Sequence, residues 1–419
     1  MKKEVRLKFG AEDIIISFGE IARQANGSVV VQMGETSVLV SAVMAQEPRE
    51  GIDFLPLTVE YRERAYAGGK IPGGFFKREG RPTEKEILTA RLIDRPLRPL
   101  FFECLRNEVQ ITALVLSSDG KYDPDILSVI GASAALSISD IPWGGPIGCV
   151  RVAMVDNDFI LNPSYQQSDK ATLNLVVVGL DDKIVMLEGE AKEVTEDDFS
   201  RAVDFAHQNI IASIRIQQEL AALCKNEKQN VKLAVLDEKI YSEIQDNSSK
   251  IIDKIILIKD RKERSSRMLQ LKEDLLKKYE QSCSAEDINK ALYKIQKGSV
   301  RRYLLENKKR IDGRGFEDIR EIDCAVSVLP RTHGSALFTR GQTQSLAVTT
   351  LGTSSDEQTV ESYEGEMSKK FMLHYNFPPF SVGETGPPRG PGRREIGHGA
   401  LAEKALSAVM PQEGEFPYT

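Results

Sequence analysis

Residues 27–44, GSVVVQMGETSVLVSAVM, decide the fold. β-Branched residues dominate on both sides of Met33–Thr36 and Gly34 supplies a turn, so the stretch reads as two strands joined there. Residues 334–352, GSALFTRGQTQSLAVTTLG, carry the same pattern. Gly27-Ser28, Gly34 and Thr36 match Gly334-Ser335, Gly341 and Thr343 at an offset of 307, and Lys85-Glu86-Ile87 matches Arg394-Glu395-Ile396 at 309. Two short matches in the same order, hundreds of residues apart, point to a duplicated domain.

Strand and helix signals alternate around the first copy. VRLKF, DIIISFG and VQITALVLS read as strands, and Glu84–Leu97 as a helix with Thr83 at its N-cap and Pro96 and Pro99 near its end. DPDILSVIGASAALSIS is an apolar helix rich in small residues, suited to close packing on a sheet. CVRVAMV and FILNP flank an Asp-Asn-Asp turn, and TLNLVVVG and KIVMLEG flank Leu180-Asp181-Asp182. Thr195 opens a further helix, its hydroxyl placed to accept from the backbone of Asp198. From about 225 to 310 Lys, Glu, Asp, Gln and Ser dominate. There Ile251, Ile255 and Ile258, then Leu269, Leu276 and Tyr279, suggest amphipathic helices, and Ser284–Asp287 is another capping box. The expected organisation is an α/β domain over residues 1–222, an all-helical domain over 223–309 and a second α/β domain over 310–419.

With 41% hydrophobic and 28% charged residues over 419 positions, the chain has the makeup of a globular protein with room for several cores. A net charge of −6 means that any nucleic-acid site is a local basic patch on an acidic body. The five cysteines are dispersed and lack a C-x-x-C, which argues against a zinc site or disulfide framework and fits a reducing compartment. MKKEVRLKFGAED has no long apolar stretch of a signal peptide, and no run of about 18 apolar residues offers a membrane span. A cytoplasmic location without membrane partners is expected.

The chemistry-bearing stretch is residues 73–102, GGFFKREGRPTEKEILTARLIDRPLRPLFF. Phe75 and Phe76 offer faces on which bases stack, and Lys77, Arg78, Arg91, Arg95 and Arg98 offer charge to phosphates. Arg91, Arg95 and Arg98 stand at i, i+4 and i+7, so they share a helix face; either anions occupy that row or acids from elsewhere pair with it. The bland alternative is a solvated basic helix with a core-packing aromatic pair. In the second copy Arg389, Arg393, Arg394 and His398 follow a Gly-Pro-rich loop, and Arg394 and His398, four apart, could clamp a phosphate. His333 reads as a turn cap, His207 and His374 as structural. Neither G-x-x-x-x-G-K-[ST] nor H-E-x-x-H occurs, and no pair of carboxylates stands out as a metal site. The cationic clamp of phosphoryl transfer is visible and its metal ligands are not.

GGFFKREGRPTEKEILTARLIDRPLRPLF, RIDGRGFEDIREIDC, LPRTHGSALFTRGQTQSLAVTTLGT and FPPFSVGETGPPRGPGRREIGHGALAEKAL resemble the signature stretches of the polynucleotide phosphorylase family, and the likeness runs the length of the chain. The resemblance implies two RNase PH-like α/β domains (sandwiches like domain 2 of ribosomal protein S5), joined by an all-helical domain. It implies three chains in a ring around a channel for single-stranded RNA, and attack of inorganic phosphate on the 3′-terminal phosphodiester, assisted by Mg2+ or Mn2+. RNA-degradation complex components are implied as further partners. Carried over by position, Phe75, Phe76, Lys77 and Arg78 resemble the base-stacking channel loop. Arg91, Arg95 and Arg98 resemble the RNA-contacting arginines of the first domain. Arg393, Arg394 and His398 resemble the basic side of the catalytic pocket.

In the family the second domain continues past the point matching Thr419, and the phosphate-holding serine loop and metal-holding aspartates lie there. The resemblance therefore implies a chain without metal ligands of its own, inactive alone. Its rivals are a noncatalytic RNA-binding ring or scaffold, and a truncated product or one half of a split enzyme.

Overall fold

The computed structural model describes residues 2–73, 75–224, 226–231, 237–280, 282–361, 365–387, 389–411 and 414–419. Gly74 and Pro388, inside the two signature loops, lie outside the described residues. Buried and exposed positions alternate along β3 (Gly27–Met33), with Val29, Val31 and Met33 inward. The same period of two runs through β4 (Thr36–Pro48) and β6 (Asn107–Ser117) and makes one face of a sheet apolar. With β1 (Lys3–Phe9), β2 (Glu12–Phe18) and β5 (Leu57–Glu63) they form a six-stranded sheet ordered β1-β2-β3-β4-β6-β5, antiparallel except for the β5–β6 pair.

Helix α1 (Glu84–Leu97) packs on β5, and α2 (Asp125–Ile138) on β3 and β4. β7 (Gly148–Val155), β8 (Asp158–Leu161), β9 (Leu173–Gly179) and β10 (Ile184–Ala191) form a second sheet ordered β10-β9-β7-β8. A short helix α3 (Tyr165–Asp169) and the long α4 (Glu196–Cys224) complete the run. α2 also touches β7 and α4, and its residues are buried on almost every side. Its small residues set how near it lies. A Cβ on Gly131 would stand 2.5 Å from Val40 Cγ2, and a Cβ on Gly27 would stand 2.1 Å from the backbone oxygen of Ala135. Asp125, in the first turn of α2, forms a buried ion pair with Arg151 of β7. Burial pushes the Asp125 carboxyl up to about 6, with the Arg151 guanidinium opposing the rise.

The chain divides into two compact units, Met1–Leu233 with Gly352–Thr419, and Ala234–Leu351. The second unit holds α5 (Glu238–Ile255), α6 (Arg261–Lys278) and α7 (Ala285–Asn307), followed by the three-stranded sheet β11 (Ile322–Val326), β12 (Gly334–Arg340) and β13 (Thr343–Thr349). The first unit adds the hairpin β14 (Gln358–Glu361) and β15 (Glu366–Lys369), and α8 (Arg393–Ser407). The helical core is formed by Ile244, Ile252, Ile255, Leu271, Leu275, Ile288, Leu292 and Ile295. Ile251 and Leu269, expected on the apolar stripes, are 46% and 56% exposed. The inward row of α5 runs through Ile244, Ser248, Ile252 and Ile255, and the serine in it disguises the stripe.

The duplication is visible in the backbone. β3–β4 and β12–β13 are hairpins closed at Met33↔Thr36 and Arg340↔Thr343. Gly34 (φ +59°) and Gly341 (φ +62°) take the left-handed first position of their turns. The 3₁₀ turns Ala65–Gly68 and Pro379–Val382 both end on a left-handed glycine, Gly69 and Gly383. α1 and α8 start alike: Glu86 accepts from the N–H of Thr83 at 2.7 Å, and Glu395 from that of Gly392 at 2.9 Å. The architecture is mixed α/β, with a helical region between two related α/β segments of sequence.

Gly27→Ala is expected to lower the urea midpoint by the equivalent of about 1–3 kcal/mol, the usual cost of overpacking. The same change at Gly298 in α7, where an added Cβ meets nothing within 4 Å, should stabilise its helix by about 0.5–1 kcal/mol. Unfolding followed by circular dichroism reads both, and shifts of the same sign would contradict the packing account.

Candidate functional site

The segments after the two matched 3₁₀ turns differ in length. Gly69 to Thr83 is five residues longer than Gly383 to Gly392, and the longer one carries Phe75-Phe76-Lys77-Arg78. Phe75 and Phe76 are 93% and 88% exposed and meet edge to face with centroids 5.6 Å apart. They belong to no core, unlike Phe101, which is buried against Trp143. Lys77 has a left-handed backbone (φ +49°), and Lys77 and Arg78 are exposed beside the rings. The base of the loop is anchored by Glu79, which accepts from the N–H of Ala65 at 3.1 Å and lies 3.7 Å from Arg64. Backbone N–H donors, its own and that of Ala65, hold the Glu79 carboxyl below the usual carboxylate range.

The arginine row of α1 is divided in its commitments. Arg98 is fully engaged: it holds Asp94 in a forked pair at 2.8 Å and donates to the carbonyls of Leu55 (3.2 Å) and Leu57 (3.0 Å). Arg95 pairs with Glu188 of β10, which also lies 3.9 Å from Lys404 of α8, yet its Nε is buried without a hydrogen-bond partner. Desolvation, then the neighbouring Arg91, lowers the Arg95 pKa. Arg91 lies across Gly397 of α8, whose missing side chain leaves room for it: a Cβ there would stand 2.2 Å from Arg91 Nε. Arg91, Arg95, Glu188, Gly397 and Lys404 thus line one cleft between α1 and α8.

On α8 the expected trio separates. Arg393 turns to β5, donating to the Val59 carbonyl at 2.7 Å and pairing with Glu60. Arg394 and His398 are exposed one helical turn apart, and His398 meets the ring of Tyr375 edge-on at 4.5 Å. Lys85, the counterpart of Arg394 in the first copy, lies 3.1 Å from Glu63, 3.8 Å from Asp123 and 3.3 Å from the Tyr165 hydroxyl. Burial raises the Glu63 pKa, and Lys85 is the first influence opposing it. Arg394 has no ion-pair partner among the described residues. One helix position is therefore neutralised in the first copy and open in the second. His333 accepts from the N–H of Leu351 at 2.9 Å, and His207 meets the Leu180 carbonyl.

Sequence reading missed Glu188, Lys404, Glu60 and Tyr375. Tyr375 carried a signal: it stands as far before Gly383 as Tyr61 before Gly69. Among the described residues, no group of three or more His, Cys, Asp or Glu side chains could hold a metal ion.

Comparison with known proteins gives concordant matches. The pattern described as "3′ exoribonuclease family, domain 1" matches residues 11–142 and again 318–419, and domain 2 of that family matches 145–209. "Polyribonucleotide nucleotidyltransferase, RNA binding domain" matches 239–315. The polyribonucleotide nucleotidyltransferase of Sulfurihydrogenibium azorense is 52% identical over 99% of this chain and 59% of its own length. Those of Persephonella marina and Geotalea uraniireducens are each 48% identical, over 99% and 100% of this chain and 59% and 60% of their own. The chain spans about three fifths of the length of these relatives. The crystal structure of rice Rrp46 aligns over 54% of this chain and 95% of its own at 13% identity and a TM-score of 0.40, a likeness too slight to argue from.

Arg98→Ala strips a forked partner from Asp94 and donors from two carbonyls, so stability should fall by about 1–3 kcal/mol. Arg394→Ala, at an exposed and unpaired site, should leave the urea midpoint within about 0.5 kcal/mol of the parent. Equal losses would show that the division between engaged and open cations is wrong.

Proposed function

The chain belongs to the 3′ exoribonuclease family, in its polyribonucleotide nucleotidyltransferase form, and from that membership we propose that it serves phosphorolytic 3′-to-5′ degradation of single-stranded RNA. The observation that carries the reading is the pair of exposed rings beside Lys77 and Arg78, in a segment present in one copy only. Two large apolar rings left in water are costly unless a ligand covers them, and nucleobases do so at about 1–3 kcal/mol per base. Arg91 and Arg95 continue the cationic path, and Arg98 acts by fixing α1 to the strand beside it.

In the proposed reaction an oxygen of inorganic phosphate attacks the phosphorus of the terminal phosphodiester. The bond to the 3′ oxygen of the preceding nucleotide breaks, and a nucleoside diphosphate leaves. Arg394 and His398 would meet the charge gathering on the transferring phosphoryl group, near the N-terminus of α8 where the helix dipole favours anions. Arg393 supports them by tying that turn to β5. Mg2+ or Mn2+, implied by the family, would neutralise phosphate charge; among the described residues no group of three or more His, Cys, Asp or Glu side chains could hold it. For residues 1–419 alone we propose RNA binding without turnover, because they present the cationic side of such a site. The reading extends, on family likeness, to a cytoplasmic homotrimer acting in mRNA turnover with other RNA-degradation proteins. No helix among the described residues is long and apolar enough to cross a membrane.

Poly(A) incubated with phosphate and Mg2+ tests the chemistry. A protein spanning the whole length of these relatives should release ADP and stop when phosphate is omitted; AMP release without phosphate would replace phosphorolysis by hydrolysis. The 419-residue chain should bind and release nothing, and ADP from it would overturn the second proposal. Phe76→Ala with Arg78→Ala should weaken oligo(A) binding by about 1–3 kcal/mol, and an unchanged affinity would remove the loop from the RNA path.

A further inference from the structure

Tyr61 and Glu63 stand eight and six residues before Gly69, and Tyr375 and Phe377 stand eight and six before Gly383. The second copy therefore has a phenyl ring where the first has a carboxylate. In the first copy that carboxylate is spent on its neighbours: Glu63 accepts from the Tyr61 hydroxyl at 2.6 Å and lies 3.1 Å from Lys85. Lys85 in turn is the counterpart of Arg394. One exchange thus does two things to the second copy. It removes the acid nearest this cation position, and it sets an aromatic face in its stead.

The ring is held but not covered. Phe377 stacks on Tyr375 with planes 14° apart and centroids 6.2 Å apart, and Tyr375 meets His398 edge-on at 4.5 Å. Tyr375 is seated against α8 at Gly399, where an added Cβ would stand 3.3 Å from Tyr375 Cβ. His398 and Arg394 are exposed on that helix, one turn apart. Phe377 nevertheless keeps 45% of its surface in water, whereas Tyr61 is buried. A ring needed only for packing on Tyr375 would turn inward, since burial gains about 25 cal/mol per Å² of apolar surface. A ring backed on one side and open to water, beside an unpaired guanidinium, fits a ligand that joins a flat heterocycle to a phosphate. Stacking needs only a π face, so such a site accepts every base, as removal of successive nucleotides from an RNA end requires.

We infer that Phe377 stacks the 3′-terminal base of single-stranded RNA while Arg394 holds the phosphate beside it. The inference rests on the RNA reading of the Arg394–His398 site and names what fixes the terminal nucleotide there. The 419-residue chain is titrated by fluorescence anisotropy with 5′-labelled oligo(A), and with the same oligomer whose 3′-terminal residue lacks its base. The parent should bind the intact oligomer about tenfold more tightly, within what one stacked base contributes. Phe377→Leu should bring that ratio close to one, and Phe377→Tyr should keep it. Arg394→Gln should weaken both oligomers alike, keep the ratio, and make the slope of log K against log salt shallower by about 0.7. Phe76→Ala should weaken both and leave the ratio. Should Phe377→Leu lose its folded circular dichroism, Phe377→Met, read by the same ratio, decides the matter. A parent ratio of one, or an unchanged ratio in Phe377→Leu, would overturn the inference and spare the RNA reading. A parent that binds neither oligomer would overturn both. A ratio lost in Phe76→Ala and kept in Phe377→Leu would overturn it by moving the terminal base to the Phe75–Phe76 loop.

Discussion

The structure of the first unit depends on how closely α2 lies on the six-stranded sheet. At Gly131 and Gly27 helix and strand approach until no side-chain atom fits between them. The approach lets an apolar helix be covered by a sheet on one side and by β7 and α4 on the other, so its own apolar residues are buried almost all round. The Asp125–Arg151 pair fixes the start of that helix to β7. α1 then has a firm floor in β5 and α2, and the arginines it carries are positioned by that floor, not by the loop before it.

Two copies of one backbone plan surround the same helix position with different partners. Both make a helix whose third residue is a glutamate reaching back to its own N-cap, and both place a cation just before that glutamate. In the first copy the cation, Lys85, is absorbed by Glu63, Asp123 and a tyrosine hydroxyl. In the second the corresponding Arg394 stands in the open beside His398 and Tyr375. The two copies thus differ in which partners surround a shared geometry.

Local signals were legible and distant partners were not. Thr83, Gly34, Gly341 and the small residues of α2 announce themselves because each acts within a turn or two of its own position. β5 escaped notice: Leu57, Val59 and Tyr61 do alternate inward, but Glu60, Arg62 and Glu63 stand between and after them and dilute the apolar pattern. The Asp94–Arg98 pair could have been read from its spacing of four. Glu188 could not, since it reaches Arg95 from a strand about ninety residues away, brought there only by the assembled fold.

β5 takes hydrogen bonds from arginines of both copies. Arg98, from the first copy, donates to the carbonyls of Leu55 and Leu57, and Arg393, from the second, donates to that of Val59. A strand of the first copy thus has its backbone satisfied in part by a side chain of the second. Cleaving the gene between the copies would leave the Glu60 carboxylate and the Val59 carbonyl without their donor. Such cross-bracing couples the packing of one copy to the presence of the other.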